Sequence, residues 1–153
     1  MSLANWRDRA PVLKGLPEAS YRYLESLAQE VHYSIGDMMF EADSPADRFY
    51  LVDEGKVGLE VSIPGRPPIV LETLGPGDLV GVSWLFPPYE WNWRARALTS
   101  TTMIVFDAEE VRRQCEVDRE LALQMYRTVA AEAVRRLHGA RIRLLDIYPG
   151  TNS

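Results

Sequence analysis

Cysteine and histidine are nearly missing from this sequence, and positive charge is in deficit. Among its 153 residues there are one Cys and two His. Cys115 cannot form an internal disulfide, and its helical, apolar surroundings suggest a buried thiol. His32 and His138 stand far apart in helical or boundary regions, so the histidine cluster of a catalytic zinc or iron site is lacking. There is no glycine-flanked serine elbow, and nothing in the sequence around Cys115 would activate it. An enzyme is therefore not expected. The formal net charge of −5 disfavours general nucleic-acid binding, which needs a concentrated basic surface. No apolar run reaches the roughly 18 residues of a membrane span, and the N-terminus lacks the pattern of a secretory signal. Cytoplasmic residence is the expectation.

What is present is ordinary globular composition, with 46% hydrophobic and 25% charged residues. The length fits one domain over residues 1–153, large enough to bury a core without disulfide or metal. Leu16-Pro17 suits a helix start, and Leu24, Leu27, Ala28 and Val31 recur at helical spacing up to Gly36-Asp37. The pattern then changes. Met38–Phe40, Phe49–Val52, Val57–Ile63, Ile69–Leu74 and Thr101–Phe106 are short runs rich in β-branched and aromatic residues. Between them stand turn signals such as Asp43-Ser44-Pro45, Asp53-Glu54-Gly55 and Gly75-Pro76-Gly77-Asp78. This spacing predicts an antiparallel sandwich or barrel over about 33–107.

Helices are predicted from about 108 to 148. Asp107 is a plausible N-cap, with Glu109 and Glu110 in the first turn. A second helix runs from near Asp118 to about Tyr148, before Pro149-Gly150. Along it Ala122, Tyr126, Val129, Ala133, Leu137, Ala140, Leu144 and Ile147 form one stripe. Such a helix is about 45 Å long, too long for its whole apolar face to rest on one small barrel.

The order of these signals resembles the cyclic nucleotide-binding domain of catabolite-activator and Fnr-type regulators, kinase regulatory subunits and gated channels. Tyr33 to Phe40 is similar to the family's first strand. Ser44 to Val57, with Gly55 after its apolar run, is similar to the second hairpin. Leu74-Gly75-Pro76-Gly77-Asp78-Leu79-Val80-Gly81 resembles the approach to the phosphate-binding cassette, and Arg96-Ala97-Leu98-Thr99 the strand leaving it. The likeness covers roughly residues 13–147. It implies a mainly β fold: a jelly roll (double-stranded β-helix) with an N-terminal helix and a long C-terminal helix. It also implies a regulatory role without catalysis.

The resemblance further implies a ribose-binding glutamate just after the cassette glycine and a phosphate-binding arginine about nine residues on. Charge-assisted bonds at these two positions carry nucleotide affinity. Here the first position holds Val82. The second, counted both onward from Val82 and back from Arg96-Ala97, holds Trp91. The cassette is instead aromatic and stiff, with Trp84, Phe86, Pro87, Pro88, Tyr89 and Trp93 around Trp91. Candidate ligand-binding residues are Gly81, Val82, Ser83, Trp84, Trp91, Asn92 and Arg94.

Three readings stay open at the sequence level. The aromatics could form an occluded plug or partner surface, as in a ligand-free scaffold. They could line a pocket for an apolar or aromatic small ligand. Cyclic AMP or cyclic GMP binding could survive on the amides near Gly81 and Ser83, where a short helical turn aims its free N–H groups, with Arg94 as replacement cation. Arg94 and Arg96 share a strand face by alternation, and either could make an ordinary ion pair.

Glu41, Asp43 and Asp47 read as turn caps or solvated charges. Arg127, Arg135, Arg136, Arg141 and Arg143 read as a solvated helix face, or as a docking surface for an acidic partner protein. The helical stripe, with spacings of four and three, suggests a homodimer through the C-terminal helix. No helix-turn-helix pattern follows that helix, so direct DNA binding is not expected, and neither is a membrane partner.

Overall fold

The computed structural model describes Ala10 and residues 13–147. The described elements are helix α1 (Glu18–Leu27), strands β1 (Gln29–Tyr33), β2 (Met38–Phe40), β3 (Arg48–Glu54), β4 (Val57–Val61), β5 (Ile69–Leu74) and β6 (Leu79–Val80), a 3₁₀ turn at Ser83–Leu85, strands β7 (Arg94–Ala97) and β8 (Thr101–Asp107), and helices α2 (Ala108–Val117) and α3 (Arg119–Ile147). Two four-stranded antiparallel sheets face each other, ordered β1-β8-β3-β6 and β2-β7-β4-β5. This is the expected jelly roll with flanking helices.

The two richest apolar runs, β3 and β8, are central in the first sheet and buried on both faces. Alternation sends Tyr50, Val52, Met103 and Val105 between the sheets, where they meet Val57, Leu59 and Ala95. Phe49, Leu51, Ile104 and Phe106 point the other way, onto Leu24 of α1, Val111 of α2 and Leu121, Met125 and Val129 of α3. A strand covered on both sides reads as a continuous hydrophobic run, which is why β3 and β8 stood out.

The first helix is shorter than its periodicity suggests. It stops at Leu27, Ala28 turns extended at ψ 134°, and Val31 pairs with Met103 in β1. His32 accordingly lies in a strand, beside Glu30 and Thr102. The caps of the C-terminal helices follow the expected chemistry. The Glu110 N–H donates to the Asp107 carboxylate at 3.1 Å, and the Leu121 N–H donates to that of Asp118 at 3.1 Å. Tyr148, Pro149 and Gly150 lie outside the described residues.

Helix α3 departs from its predicted stripe. The line buried against the body is Leu121, Met125, Val129 and Glu132, so only Val129 is shared with that stripe. Beyond Glu132 the helix carries no fully buried side chain, and Leu137, Leu144 and Ile147 stay exposed toward the mouth of the second sheet. A 29-residue helix is about 43 Å long, and only its first half finds a floor.

Candidate functional site

The segment between β6 and β7 is folded onto the rest by backbone pairing. The Asp43 N–H donates to the Trp91 carbonyl at 2.7 Å, the Trp91 N–H to the Ser44 carbonyl at 3.0 Å, and the Ala46 N–H to the Tyr89 carbonyl at 2.7 Å. Asp43, in the predicted acidic turn, takes φ 65° there. From α2, Arg112 donates through Nη1 to the carbonyls of Ala46 (3.0 Å) and Trp84 (2.6 Å), with its guanidinium 4.4 Å from the Tyr89 ring centre. The loop is thereby tied to the helix that leads into α3.

These ties push Trp91 inward. Its ring stacks on Phe40 at 4.0 Å between centroids and is only 4% exposed. Gly81 sits beneath its edge with φ 96°, and a Cβ there would lie 2.3 Å from Cζ3 of Trp91. Glycine is required at this position on both counts, since an L side chain would be strained and would strike the indole. What approaches the Gly81 backbone closely is therefore Trp91.

Outside Trp91 lies an open-sided cavity of about 660 Å³ between the barrel and α3, large enough for a small organic molecule. Its barrel wall includes Phe40, Leu59, Val70, Val82, Trp91 and Trp93. Its helical wall is the unburied part of the α3 stripe: Ala133, Leu137, Ala140, Leu144 and Ile147. The polar groups are few. Asn92 Nδ2 donates to Ser83 Oγ at 3.3 Å, and Glu72, Arg136 and Arg143 stand on the two walls.

The candidate residues thus divide. Gly81, Val82, Ser83, Trp91 and Asn92 come together on the cavity. Trp84 and Arg94 do not. Trp84 is fully buried, stacked on Phe49 at 4.0 Å, and its indole N–H has no hydrogen-bond partner among the described residues. The 3₁₀ turn beginning at Ser83 is one turn long and drives this side chain into the core beneath α2 and α3. Arg94 alternates with the inward-facing Ala95, so its guanidinium lies on the outer face of the second sheet. There Arg94 and Arg96 each place Nε 3.1 Å from the same Glu60 oxygen. Glu60 is 5% exposed, so both arginines are engaged in a structural ion cluster; Nη2 of Arg94 is buried without a partner among the described residues.

Sequence reasoning missed the latch that fixes α3 beside the cavity. Glu132 is 6% exposed and takes ion pairs from Arg135 and, at 3.2 Å, from Arg136. Arg136 also donates to the Leu79 carbonyl and lies 4.0 Å from Glu72, while Arg135 reaches Asp78 at 3.4 Å. The signal was Glu132 itself, a carboxylate on the same helical face as Leu121, Met125 and Val129.

Other titratable groups lie apart from the cavity. Burial, with the Asp118 carboxylate nearby, pushes the half-buried Cys115 thiol up to about 11. Burial likewise raises Tyr50, helped by Tyr33. No group of three or more potential metal ligands occurs among the described residues, and no described helix is long and apolar enough to cross a membrane.

Residues 30–118 match the cyclic nucleotide-binding domain family, and the chain belongs to it. The family is regulatory and ligand-binding. A CRP-like cAMP-activated global transcriptional regulator of Mycobacterium tuberculosis is 26% identical over 139 residues, which is 91% of this chain and 60% of the relative. This chain therefore spans about 60% of the length of the curated relatives it matches. Among solved structures, a Geobacter metallireducens protein named for cyclic nucleotide binding superposes with TM-score 0.80 at 25% identity, covering 90% of this chain and 99% of that one. The catabolite activator protein of Thermus thermophilus gives TM-score 0.69 at 26% identity, over 91% of this chain and 63% of its own. The N-terminal domain of a Streptomyces coelicolor transcriptional regulator gives TM-score 0.68 at 29% identity, over 91% and 94% of the two chains.

Proposed function

We propose that this chain is a cytoplasmic, non-catalytic sensor. In this reading its cassette has given up cyclic nucleotides, its cavity accepts an apolar or aromatic small molecule, and α3 carries the response. The whole chain acts as one domain. The observation that carries the reading is the Trp91 indole over Gly81, at the place where the resemblance puts the arginine for the phosphate. Losing that cation and the ribose acceptor at Val82 removes two charge-assisted bonds. At about 1.5–3 kcal/mol each, that is a hundredfold to ten-thousandfold in affinity. Arg94 offers no replacement, being held by Glu60 outside the barrel.

Coupling follows from the walls. One side of the cavity is cassette and the other is α3, so a ligand touching both alters the relative stability of helix positions. The latch from Arg136 to Glu132, Glu72 and the Leu79 carbonyl defines one such position. The exposed apolar residues Val134, Leu137, Leu144 and Ile147 favour a homodimer through α3 as the readout, with an acidic partner protein as the alternative reader of its arginines.

Calorimetry with cyclic AMP and cyclic GMP tests the first part. No saturable heat is expected up to about 100 μM nucleotide, and micromolar binding of either overturns it. Light scattering after size exclusion tests the dimer, which a strictly monomeric particle at micromolar protein contradicts. A second reading, a scaffold binding no small molecule, is favoured by the burial of Trp84 and Trp91 in the core. It predicts that no apolar compound protects α3 from hydrogen exchange.

A further inference from the structure

The charged groups around the cavity are unequally committed. Arg136 is saturated by Glu132, Glu72 and the Leu79 carbonyl. Arg143 lies seven residues on, two helical turns away and on the same face of α3. It lines the same cavity and has no carboxylate or carbonyl partner among the described residues. Leu137 and Ala140 lie between the two arginines on the helical wall, and Val70 and Trp93 belong to the barrel wall. Arg143 is exposed, so water partly screens its pair with an incoming anion and the gain is modest. On the facing wall Glu72 opposes a second negative charge.

We propose that the cavity selects an amphipathic monoanion, with a flat apolar body against Trp91 and Trp93 and a single carboxylate on Arg143. This rests on the reading that the cavity takes a small apolar molecule, and it adds the charge of that molecule. A dianionic headgroup is disfavoured by Glu72 and by the single uncommitted cation. A neutral ligand leaves the charge of Arg143 unmatched.

The test is calorimetric titration of the full chain with 2-naphthoate and with 2-naphthamide, which share shape and differ in charge. The acid binds about tenfold tighter than the amide. In Arg143→Gln that preference vanishes, and Arg143→Lys keeps part of it. Arg143 is exposed and belongs to neither buried core cluster, so the variants fold. Equal binding of acid and amide to the native chain, or a preference surviving in Arg143→Gln, overturns the proposed charge and leaves the apolar cavity standing. Binding of neither compound overturns both.

Discussion

The Trp91 indole rests on Gly81 so closely that one added carbon on Gly81 would stand 2.3 Å from its ring. Each residue is what the other permits. A glycine at φ 96° leaves the space, and a tryptophan stacked on Phe40 fills it. In this way a position that the family resemblance gives to a ligand's charge is occupied by the protein's own core.

Gly81→Ala should therefore destabilise by about 2–4 kcal/mol through backbone strain and the clash. Trp91→Ala should cost about 3–5 kcal/mol as a large-to-small core change. The double variant should be more stable than the sum of the two by about 1–3 kcal/mol, because removing the ring removes the clash. Urea unfolding of the four proteins closes this cycle.

Glu132 makes a second prediction. It is a nearly buried carboxylate between two arginines, and removing it leaves Arg136, whose side chain is 11% exposed, short of its counter-ion. Glu132→Ala should destabilise by about 1–3 kcal/mol. Hydrogen exchange should accelerate from residue 132 onward, with β3 and β8 unchanged. Uniform acceleration across the sheets would argue against a local latch.

The Cys115 thiol, pushed up to about 11 from an ordinary 9.0, should resist alkylation at neutral pH. Iodoacetamide modification of the native chain should become fast only as pH approaches 11. In the unfolded chain the thiol ionises nearer 9, so the stability from its burial is complete below about pH 9 and is lost as pH rises through 11. Rapid modification at pH 8 would contradict the burial.

Much of this architecture was legible from residue types. The strands with two buried faces announced themselves as runs, and Asp107 and Asp118 announced the helix starts. Strand β1 did not, because Leu24, Leu27 and Val31 keep helical spacing across a boundary that only pairing with β8 enforces. The α3 stripe shares only Val129 with the line of the helix that is buried. A helix this long buries apolar side chains against the body only at Leu121, Met125 and Val129, while Ala133, Leu137, Ala140, Leu144 and Ile147 line the cavity. At the site, Val82 and Trp91, which both line the cavity, could be singled out by counting. The fates of Trp84 and Arg94 could not, since one depends on the direction of a single 3₁₀ turn and the other on Glu60, a strand away.

The most direct measurement is the indole N–H spectrum of the ¹⁵N-labelled chain during titration with cyclic AMP. Trp91 and Trp93 line the cavity and report on anything that enters it. Their resonances should stay in place up to about 100 μM nucleotide, below the roughly millimolar affinity left when two charge-assisted bonds are gone. Saturable shifts at micromolar cyclic AMP would contradict the account, because the nucleotide would then have found a seat that Trp91 is taken to fill.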